Sequence, residues 1–250
     1  MASKFYVVWA GRETGIFTDW PTCKKHVDGF VGARYKSFLT REEAEAAFGN
    51  AKPTAGTGRA APAANKVKTY NAAEVNALPQ QVKIFTDGGC EPNPGEAGSG
   101  VAVYCDNKLI ELWYGLYNPM GTNNTAELNA LHQGLLIAQG EVAKGKTAAV
   151  FSDSQYAIQC VVQWAIGWEK AGWKKKGGEI KNLELIKDIY SLHQTLKDKV
   201  QVLHVNGHVG VQGNELADRM SILAIQSREI DFALYREPLD IVAILATRAG

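Results

Sequence analysis

The pattern of apolar and polar positions divides the chain into two regions separated by a stretch without large apolar side chains. Residues 50–66 read NAKPTAGTGRAAPAANK, and such a segment buries too little apolar surface to offset the entropy lost on ordering. We therefore predict a small module over residues 1–49, a flexible linker over 50–80, a larger domain over 81–228 and a C-terminal extension over 229–250. The PLDIVAILA segment of the extension fits either a short packed helix or a tail that docks a partner.

The larger domain begins with three successive strands and then alternates helices with strands. One predicted helix carries an apolar stripe at helical spacing, made of Ala126, Ala130, Leu131, Leu135 and Ala138. This order predicts an α/β fold with a mixed five-stranded sheet and flanking helices. The predicted strands cover 82–87, 98–106, 108–117, 147–153 and 200–206, and the predicted helices cover 124–145, 154–168, 183–196 and 214–227.

The small module has the pattern of a second α/β unit. Residues 4–11 alternate like a strand, a second strand follows a turn, and Pro21 marks a helix start. Thr40 and Glu43 have the spacing of a capping box, which predicts a second helix at that point. A module this small has a marginal core.

Composition adds two constraints to this picture. The net charge of +1 means that attraction to nucleic acid must come from local clusters. Four scattered cysteines without a CxxC pair argue against a zinc site or a disulfide framework and favour a reducing compartment. No apolar run approaches the roughly 20 residues that span a bilayer. We expect a cytoplasmic protein without membrane association.

Four carboxylates occupy positions that suit metal chemistry. Asp87 ends the first predicted strand, in FTDGGCEPNPG, and Asp153 ends the fourth. An aspartate there commonly starts a turn, but ligand crevices of open α/β sheets also form outside the carboxyl ends of strands. The two glycines after Asp87 would then clear the backbone for a large ligand. Together with Glu127 and Asp218 on two helices, these groups would repel one another unless they bound Mg²⁺ or Mn²⁺.

Four motifs follow one another along the larger domain: FTDGGCEPNPG with Asp87, GTNNTAEL with Glu127, FSDSQY with Asp153, and NGHVGVQGNELAD with His208 and Asp218. Through these motifs, residues 82 to about 228 resemble type 1 ribonuclease H. The resemblance implies that the four carboxylates bind two Mg²⁺ ions per site, with Mn²⁺ as a substitute, and that His208 is a proton carrier. It also implies an endoribonuclease that hydrolyses the RNA strand of RNA–DNA hybrids and leaves 5′-phosphate and 3′-hydroxyl ends.

The same resemblance implies contacts with the hybrid. Thr122 and Asn182 match positions that hold a DNA phosphate, although Met120 stands where relatives often carry arginine. Positions along the minor groove, where 2′-hydroxyl groups distinguish RNA from DNA, are matched by Cys90, Asn93, Asn123, Asn124 and Gln155. Cys90 fits a buried thiol equally well.

A further cluster interleaves aromatic and basic residues over 164–176. Trp164 and Trp168 have the spacing of core residues, and we expect them to be largely buried. The three consecutive lysines that begin at Lys174 suit a surface that follows phosphates. The resemblance implies a basic protrusion that grips the DNA strand.

The N-terminal module resembles the hybrid-binding domain that precedes some ribonucleases H, on the segments FYVVWAGRETGIFTDW and ARYKSF. The resemblance implies that Trp20 and Tyr35 stack on deoxyriboses and that Tyr6, Arg34 and Lys36 face phosphates. In so small a module, Trp20 or Tyr35 could equally be core residues. A second binding module on a linker would raise the local substrate concentration and favour repeated cuts.

Three alternatives stay open at this point. A different ribonuclease H-like nuclease, of the integrase or resolvase type, would cut duplex DNA. A non-catalytic hybrid-binding protein would bind without cutting, although the intact carboxylate set argues against it. The N-terminal module could also serve protein contacts. We expect a monomer whose partner is an RNA–DNA hybrid.

Overall fold

The computed structural model describes residues 4–28, 30, 33–38, 40–49, 68–175, 177–207 and 210–250. The chain divides into two compact units, Met1–Ala63 and Ala64–Gly250. In the described part of the chain, no helix combines the length and apolar character needed to cross a membrane. Most of the predicted linker and the predicted proton carrier His208 lie outside the described residues.

The N-terminal unit is a three-stranded antiparallel sheet with two helices. The strand order is β2-β1-β3, and Val8, Cys23 and Val27 form its small buried core. Asp19 caps the first helix by accepting a hydrogen bond from the Thr22 N–H, and Thr40 accepts from the Glu43 N–H at the start of the second, as predicted. The elements are β1 Phe5–Ala10, β2 Gly15–Phe17, α1 Trp20–Val27, β3 Arg34–Phe38 and α2 Arg41–Gly49.

The second unit contains a mixed sheet in the order β10-β7-β6-β5-β8-β9-β4. The strands β5, β6 and β7 form an antiparallel meander, whereas β8, β9 and β4 run parallel to β5. Asp106 and Asn107 adopt positive φ angles in the predicted turn of the meander. The strands are β4 Thr69–Tyr70, β5 Val82–Glu91, β6 Gly95–Cys105, β7 Lys108–Gly121, β8 Ala148–Ser152, β9 Val200–Val205 and β10 Ala233–Leu234.

Helices cover both faces of this sheet because neighbouring strand residues point to opposite sides. Ile84 joins the core on one face and Phe85 joins the core on the other. The predicted apolar stripe of the long helix is buried on the first of these faces. The helices are α3 Ala72–Ala77, α4 Asn123–Ala143, α5 Gln155–Gln159, a π-helical turn Cys160–Trp164, α6 Ala165–Lys170, α7 Leu183–Leu196, α8 Gln212–Ser227 and α9 Ile241–Leu245.

The predicted five-stranded sheet is extended by a two-residue strand at each edge. On one edge β4 pairs with β9, and the helix that follows places Val75 in the core. Asn71 and Glu74 form a capping box at the start of that helix. The predicted linker over 50–80 therefore extends too far, because residues 69–77 pack on the second unit. In this Ala- and Asn-rich segment, Val75 is the one buried apolar residue and Asn71 is the helix cap.

The C-terminal extension packs on the second unit, which favours the predicted packed helix over a docking tail. At the other sheet edge β10 pairs with β7, and the Phe232 ring stacks on Trp113 with 5.7 Å between ring centroids. Further along, α9 buries Ile244 in the same core that contains Met220 of α8.

Candidate active site

Asp87 and Asp153 lie side by side at the centre of the sheet. The parallel register pairs Thr86 of β5 with Ser152 of β8, so the residues that follow them reach the same level. Contrary to the sequence prediction, Asp87 does not end its strand, since β5 continues to Glu91 by pairing with β6 alone. The strands β5 and β8 thus separate after Thr86 and Ser152, and a crevice opens where β8 ends.

Glu127 reaches this point from the long helix α4. A Cβ atom on Gly88 would overlap the backbone of Ala126 and Glu127, so the helix can approach the strand only because residue 88 is glycine. Ser99 of β6 holds the contact by donating a hydrogen bond to the Ala126 carbonyl at 2.9 Å. Gly88 thus admits a helix of the protein, and it also lines the cavity together with Gly89, so the predicted role of the two glycines in making room for a ligand stays a prediction.

Asp87, Glu127 and Asp153 form a compact acidic cluster. One carboxylate oxygen from each lies within 4.8 Å of the others, a spacing that suits a shared cation. Burial raises the pKa of Asp87 well above its usual value, and the charges of Asp153 and Asp218 raise it further. Burial likewise raises the pKa of Glu127, and the charges of Asp87 and Asp153 add to the effect.

One oxygen of Glu127 supports a metal at this cluster. Among the described residues, Glu127 Oε2 is buried and has no hydrogen-bond partner. A buried carboxylate oxygen without a donor is costly unless a cation takes that position. Hard oxygen ligands with raised pKa values fit a divalent ion such as Mg²⁺ or Mn²⁺.

Asp218 projects from α8 beside this cluster but is not a member of the group of three. Its carboxylate pairs with the Arg219 guanidinium, and its Oδ1 accepts a hydrogen bond from the Gly250 N–H at 3.0 Å. The structure therefore brings the four predicted carboxylates to one cavity and engages the fourth with protein donors.

Two residues that sequence reasoning missed hold Asp153 in place. Asn214 of α8 donates from Nδ2 to Asp153 Oδ2 at 3.3 Å. His204 Nε2 lies 3.0 Å from the Asp153 carbonyl, which can only accept, so Nε2 carries a proton. A neutral imidazole then accepts from the Thr69 hydroxyl, 2.8 Å from Nδ1. The sequence offered one signal for Asn214, a polar residue close to the predicted helix start and two residues before the buried Leu216.

The acidic cluster opens into a cavity of about 520 Å³. Three of the five predicted minor-groove residues line it, namely Cys90, Asn123 and Gln155. Asn93 lies next to them, since its Oδ1 accepts a hydrogen bond from the Asn123 N–H at 3.3 Å. Asn124 is exposed on α4 and does not line the cavity.

The two residues predicted to hold a DNA phosphate are joined through a third. Thr122 caps α4, and its hydroxyl lies 2.8 Å from that of Thr125. The Thr125 hydroxyl in turn donates to Asn182 Oδ1 at 3.2 Å. Asn182 adopts a left-handed conformation with φ of 58°, which asparagine tolerates. Met120, two residues before Thr122, is 76% exposed and contributes no charge to this site.

The predicted basic protrusion is only partly as expected. Trp168 packs against the core, but Trp164 is 39% exposed, so the expectation that both would be buried is wrong for Trp164. The π-helical turn that ends at Trp164 shifts the helical phase and turns this ring outward. Lys174 is exposed, and Lys176 lies outside the described residues.

In the N-terminal unit, the predicted sugar-stacking residues are surface residues. Trp20 is 39% exposed and Tyr35 is 47% exposed, which excludes the core alternative. Tyr6, Trp20 and Tyr35 form a row of rings with centroid separations of 5.6 and 5.7 Å. The two predicted phosphate-facing residues beside Tyr35, Arg34 and Lys36, are exposed on the same strand.

The loop that carries His208 begins directly at the acidic cluster. Gly207 precedes His208, and a Cβ atom at residue 207 would overlap the Asp153 carboxylate. His208 itself lies outside the described residues. Glycine at 207 thus permits the chain to pass close to the Asp153 carboxylate.

Comparisons with known proteins converge on one family. Residues 79–226 match the family described as RNase H, and residues 4–48 match the Ribonuclease H1 N-terminal domain. Ribonuclease H1 of Rattus norvegicus is 29% identical over 87% of this chain and 87% of its own length. A Ribonuclease H of Rhodopirellula baltica is 36% identical over 58% of this chain and 90% of its own length.

A solved structure supports the fold independently. LC9-RNase H1, described as a type 1 RNase H with the type 2 active-site motif, aligns with a TM-score of 0.51 and 23% identity. The alignment covers 67% of this chain and 86% of that one. At this identity the likeness concerns the fold, which agrees with the mixed sheet and flanking helices described above.

Proposed function

Because the chain belongs to the ribonuclease H family and is therefore a nuclease of that class, we propose that it is an endoribonuclease that hydrolyses the RNA strand of RNA–DNA hybrids. The products carry 5′-phosphate and 3′-hydroxyl ends. The observation that carries the proposal is the cluster of buried Asp87 and Glu127 with half-buried Asp153, whose ligand atoms lie within 4.8 Å of one another. Such a group has little use in a protein that only binds hybrids.

Divalent cations account for the acidic site. Asp87, Glu127, Asp153 and Asp218 would hold two Mg²⁺ ions, with Mn²⁺ as a substitute. The chemistry that such ions supply when bound is activation of a water molecule and stabilisation of the leaving 3′ oxygen. The chain's own part is to keep the ligands in position, and Asn214 and His204 do this for Asp153 through their hydrogen bonds to it.

The hybrid is positioned by groups around the cavity. Thr122 and Asn182 would bind a phosphate of the DNA strand at the N-terminus of α4, where the helix dipole favours an anion. Cys90, Asn123 and Gln155 face the minor groove from the cavity wall, with Asn93 and Asn124 beside them. Contacts to 2′-hydroxyl groups at this surface select the RNA strand for cleavage.

Proton transfer falls to His208, which follows Gly207 next to the Asp153 carboxylate. We assign it to protonation of the leaving oxygen and to product release, because an imidazole next to the scissile phosphate can do both. Its removal should slow the reaction less than removal of a carboxylate does.

The remaining nucleic-acid contacts are outside the cavity. Trp164, Trp168 and Lys174 would follow the DNA backbone by stacking and charge. The row of Tyr6, Trp20 and Tyr35 suits sugars, and Arg34 and Lys36, exposed on the same strand as Tyr35, would supply charge for phosphates without base recognition. We propose that residues 1–49 form a hybrid-binding module, joined by a linker to the catalytic domain of a monomeric enzyme. All four cysteines are free, which suits a reducing compartment such as the cytoplasm.

One cleavage assay tests the proposal. End-labelled RNA–DNA hybrid, single-stranded RNA, duplex RNA and duplex DNA are incubated with Mg²⁺, with EDTA, and with the Asp87→Asn protein. We expect cleavage only of the RNA in the hybrid, dependent on Mg²⁺ and on Asp87. Cutting of duplex DNA would favour an integrase- or resolvase-type nuclease, and tight hybrid binding without cleavage would leave a binding protein.

A further inference from the structure

The C-terminal extension returns to the acidic cavity after it has packed on the outside of the domain. Arg248 and Gly250 line the cavity of about 520 Å³ together with the four carboxylates. Ala249 lines an adjoining cavity of about 250 Å³ with Asp87, Asp153 and Asp218. The tip of the extension, residues 248–250, therefore lies between two cavities that both contain proposed metal ligands.

The tip is bound to Asp218, a carboxylate that the proposed function needs. The Gly250 N–H donates to Asp218 Oδ1 at 3.0 Å and to Oδ2 at 3.3 Å. The Arg219 guanidinium pairs with the same carboxylate and also donates to the Leu245 carbonyl at 3.4 Å. The negative charge of Asp218 is thus partly compensated by the Arg219 guanidinium and by the Gly250 N–H.

The root of the extension is held much more firmly than its tip. Ile244 is buried against α8, and Thr247 closes the end of α9 with two hydrogen bonds to the Ile244 carbonyl. Beyond Thr247, the tip is held by the Gly250 N–H bonds to Asp218 and by the ion pair between Arg248 and Glu91. Both partners are more than half exposed, and an exposed pair of this kind adds little stability. The tip can therefore detach while α9 stays in place.

We propose that residues 248–250 act as a detachable plug that competes with a divalent cation for Asp218. In the plugged state, the Gly250 N–H occupies the carboxylate and the positive charge of Arg248 lies in the same cavity. Binding of a cation at Asp218 displaces the Gly250 N–H, and phosphates of a bound hybrid draw Arg248 away from Glu91. This inference rests on the proposed function, because it takes Asp218 as a metal ligand.

Metal affinity without substrate gives the direct test. Calorimetric titration with Mg²⁺ compares the full chain, a chain that stops after Thr247, and the Arg248→Gln protein. Since the cation no longer has to displace one backbone hydrogen bond and one exposed ion pair, we expect the shortened chain to bind Mg²⁺ about threefold to tenfold more tightly. The Arg248→Gln protein should change in the same direction by a smaller factor.

Two controls separate the plug from other effects. Arg236→Ala removes one exposed positive charge from the same extension, as the shortening does, and should bind Mg²⁺ like the full chain. An equal gain for Arg236→Ala would reduce the effect to net charge and overturn the plug. Glu127→Gln in the full chain should abolish tight Mg²⁺ binding, which ties the measured affinity to the acidic cluster.

Hydrogen exchange provides a second readout on the unaltered chain. Saturating Mg²⁺ should increase amide exchange in residues 248–250 and leave α9 unchanged. Equal Mg²⁺ affinity for the full and shortened chains, or unchanged exchange at the tip, would overturn the plug and leave the metal site intact. Absence of Mg²⁺ binding by every variant would overturn both the plug and the proposed metal chemistry.

Discussion

The two units use charge in opposite ways. Asp87, Glu127 and Asp218 of the catalytic unit are each less than a tenth exposed, whereas Arg34, Tyr35 and Lys36 of the N-terminal unit lie on an open strand. Buried like charges are costly to the metal-free protein and become useful only when a cation compensates them. Exposed groups cost almost nothing, and each adds a small increment of binding.

This contrast predicts two kinds of mutational response. Substitutions in the acidic cluster should act on catalysis in large steps, because the carboxylates work as one set. Substitutions on the exposed surfaces should act on binding, additively and in a salt-dependent manner. The expected effects on cleavage and binding decrease from the acidic cluster to the exposed surfaces.

The largest effect is expected for Glu127→Gln. The substitution keeps the size of a buried side chain but removes the charge that the metal requires, so cleavage of hybrid should fall by about 10³-fold or more. Glu141→Gln is the matched control in the same helix, where Glu141 pairs with Lys144 and Lys146, and should change cleavage less than about threefold. Rates at saturating Mg²⁺ decide the matter, and a loss below tenfold for Glu127→Gln would contradict its role as a ligand.

Asn214→Ala should have the next largest effect. Loss of the hydrogen bond to Asp153 Oδ2 removes one support of that carboxylate, and loss of such a supporting bond typically costs about 10–100-fold in activity or metal affinity. A positioning role predicts that the Mg²⁺ concentration for half-maximal rate rises, which a purely structural defect would not produce. Gln226→Ala, an exposed site in the last turn of α8, is the control.

Trp20→Ala should reduce binding rather than catalysis. Loss of one stacking ring costs about 1–3 kcal/mol, so hybrid affinity of the full chain should fall between fivefold and about 150-fold. The maximal rate on saturating hybrid should stay unchanged. Phe30, also 39% exposed but outside the row of three rings, supplies the control Phe30→Ala. Unchanged affinity for Trp20→Ala would point to protein contacts for this module.

Stability of the metal-free protein should fall as pH rises. The folded-state pKa values of Asp87 and Glu127 lie above their unfolded values of 3.8 and 4.5. A raised folded pKa contributes stability below the unfolded value, and that contribution is lost as pH rises through the folded value. Glu127→Gln should therefore flatten the pH dependence and stabilise the metal-free protein near neutral pH by about 1 kcal/mol, or roughly 2–4 °C. Thermal melts in EDTA from pH 4 to 8 measure this difference, and a variant less stable than the native chain at pH 7 would refute it.

The sequence predicts the catalytic centre well because its parts have local signals. Asp87 and Asp153 follow apolar runs that can only be central strands, and the parallel pairing of Thr86 with Ser152 then fixes their proximity. Glu127 follows from the apolar stripe of α4, all of which is buried. Periodicity thus carries most of the information about the sheet and the main helices, whereas the role of the carboxylates as metal ligands came from the resemblance to type 1 ribonuclease H.

Features that depend on long-range packing escaped prediction. Glycine at 88 lets α4 approach β5 closely, and this contact is visible only in the three-dimensional structure. Trp164 has core spacing, yet a π-helical turn shifts its phase outward. His204 reads as one residue of an apolar strand, although its ring joins Thr69 to the Asp153 backbone. In each case the decisive partner is distant in sequence or the helix departs from the regular period.

The smallest effect is expected where an exposed charge is added to the catalytic unit. Met120 is 76% exposed and lies two residues before Thr122, so Met120→Arg should place a cation at the phosphate site without disturbing the core. One exposed contact of this kind adds about 0.5–1 kcal/mol, which corresponds to a twofold to fivefold gain in hybrid affinity. The slope of log affinity against log salt should steepen by about one, and Met120→Gln should leave it unchanged. If the gain in hybrid affinity does not depend on salt, the charge at residue 120 acts like those of the buried acidic cluster. If the gain depends on salt, the exposure of a charge, and not the unit that carries it, decides how the charge acts.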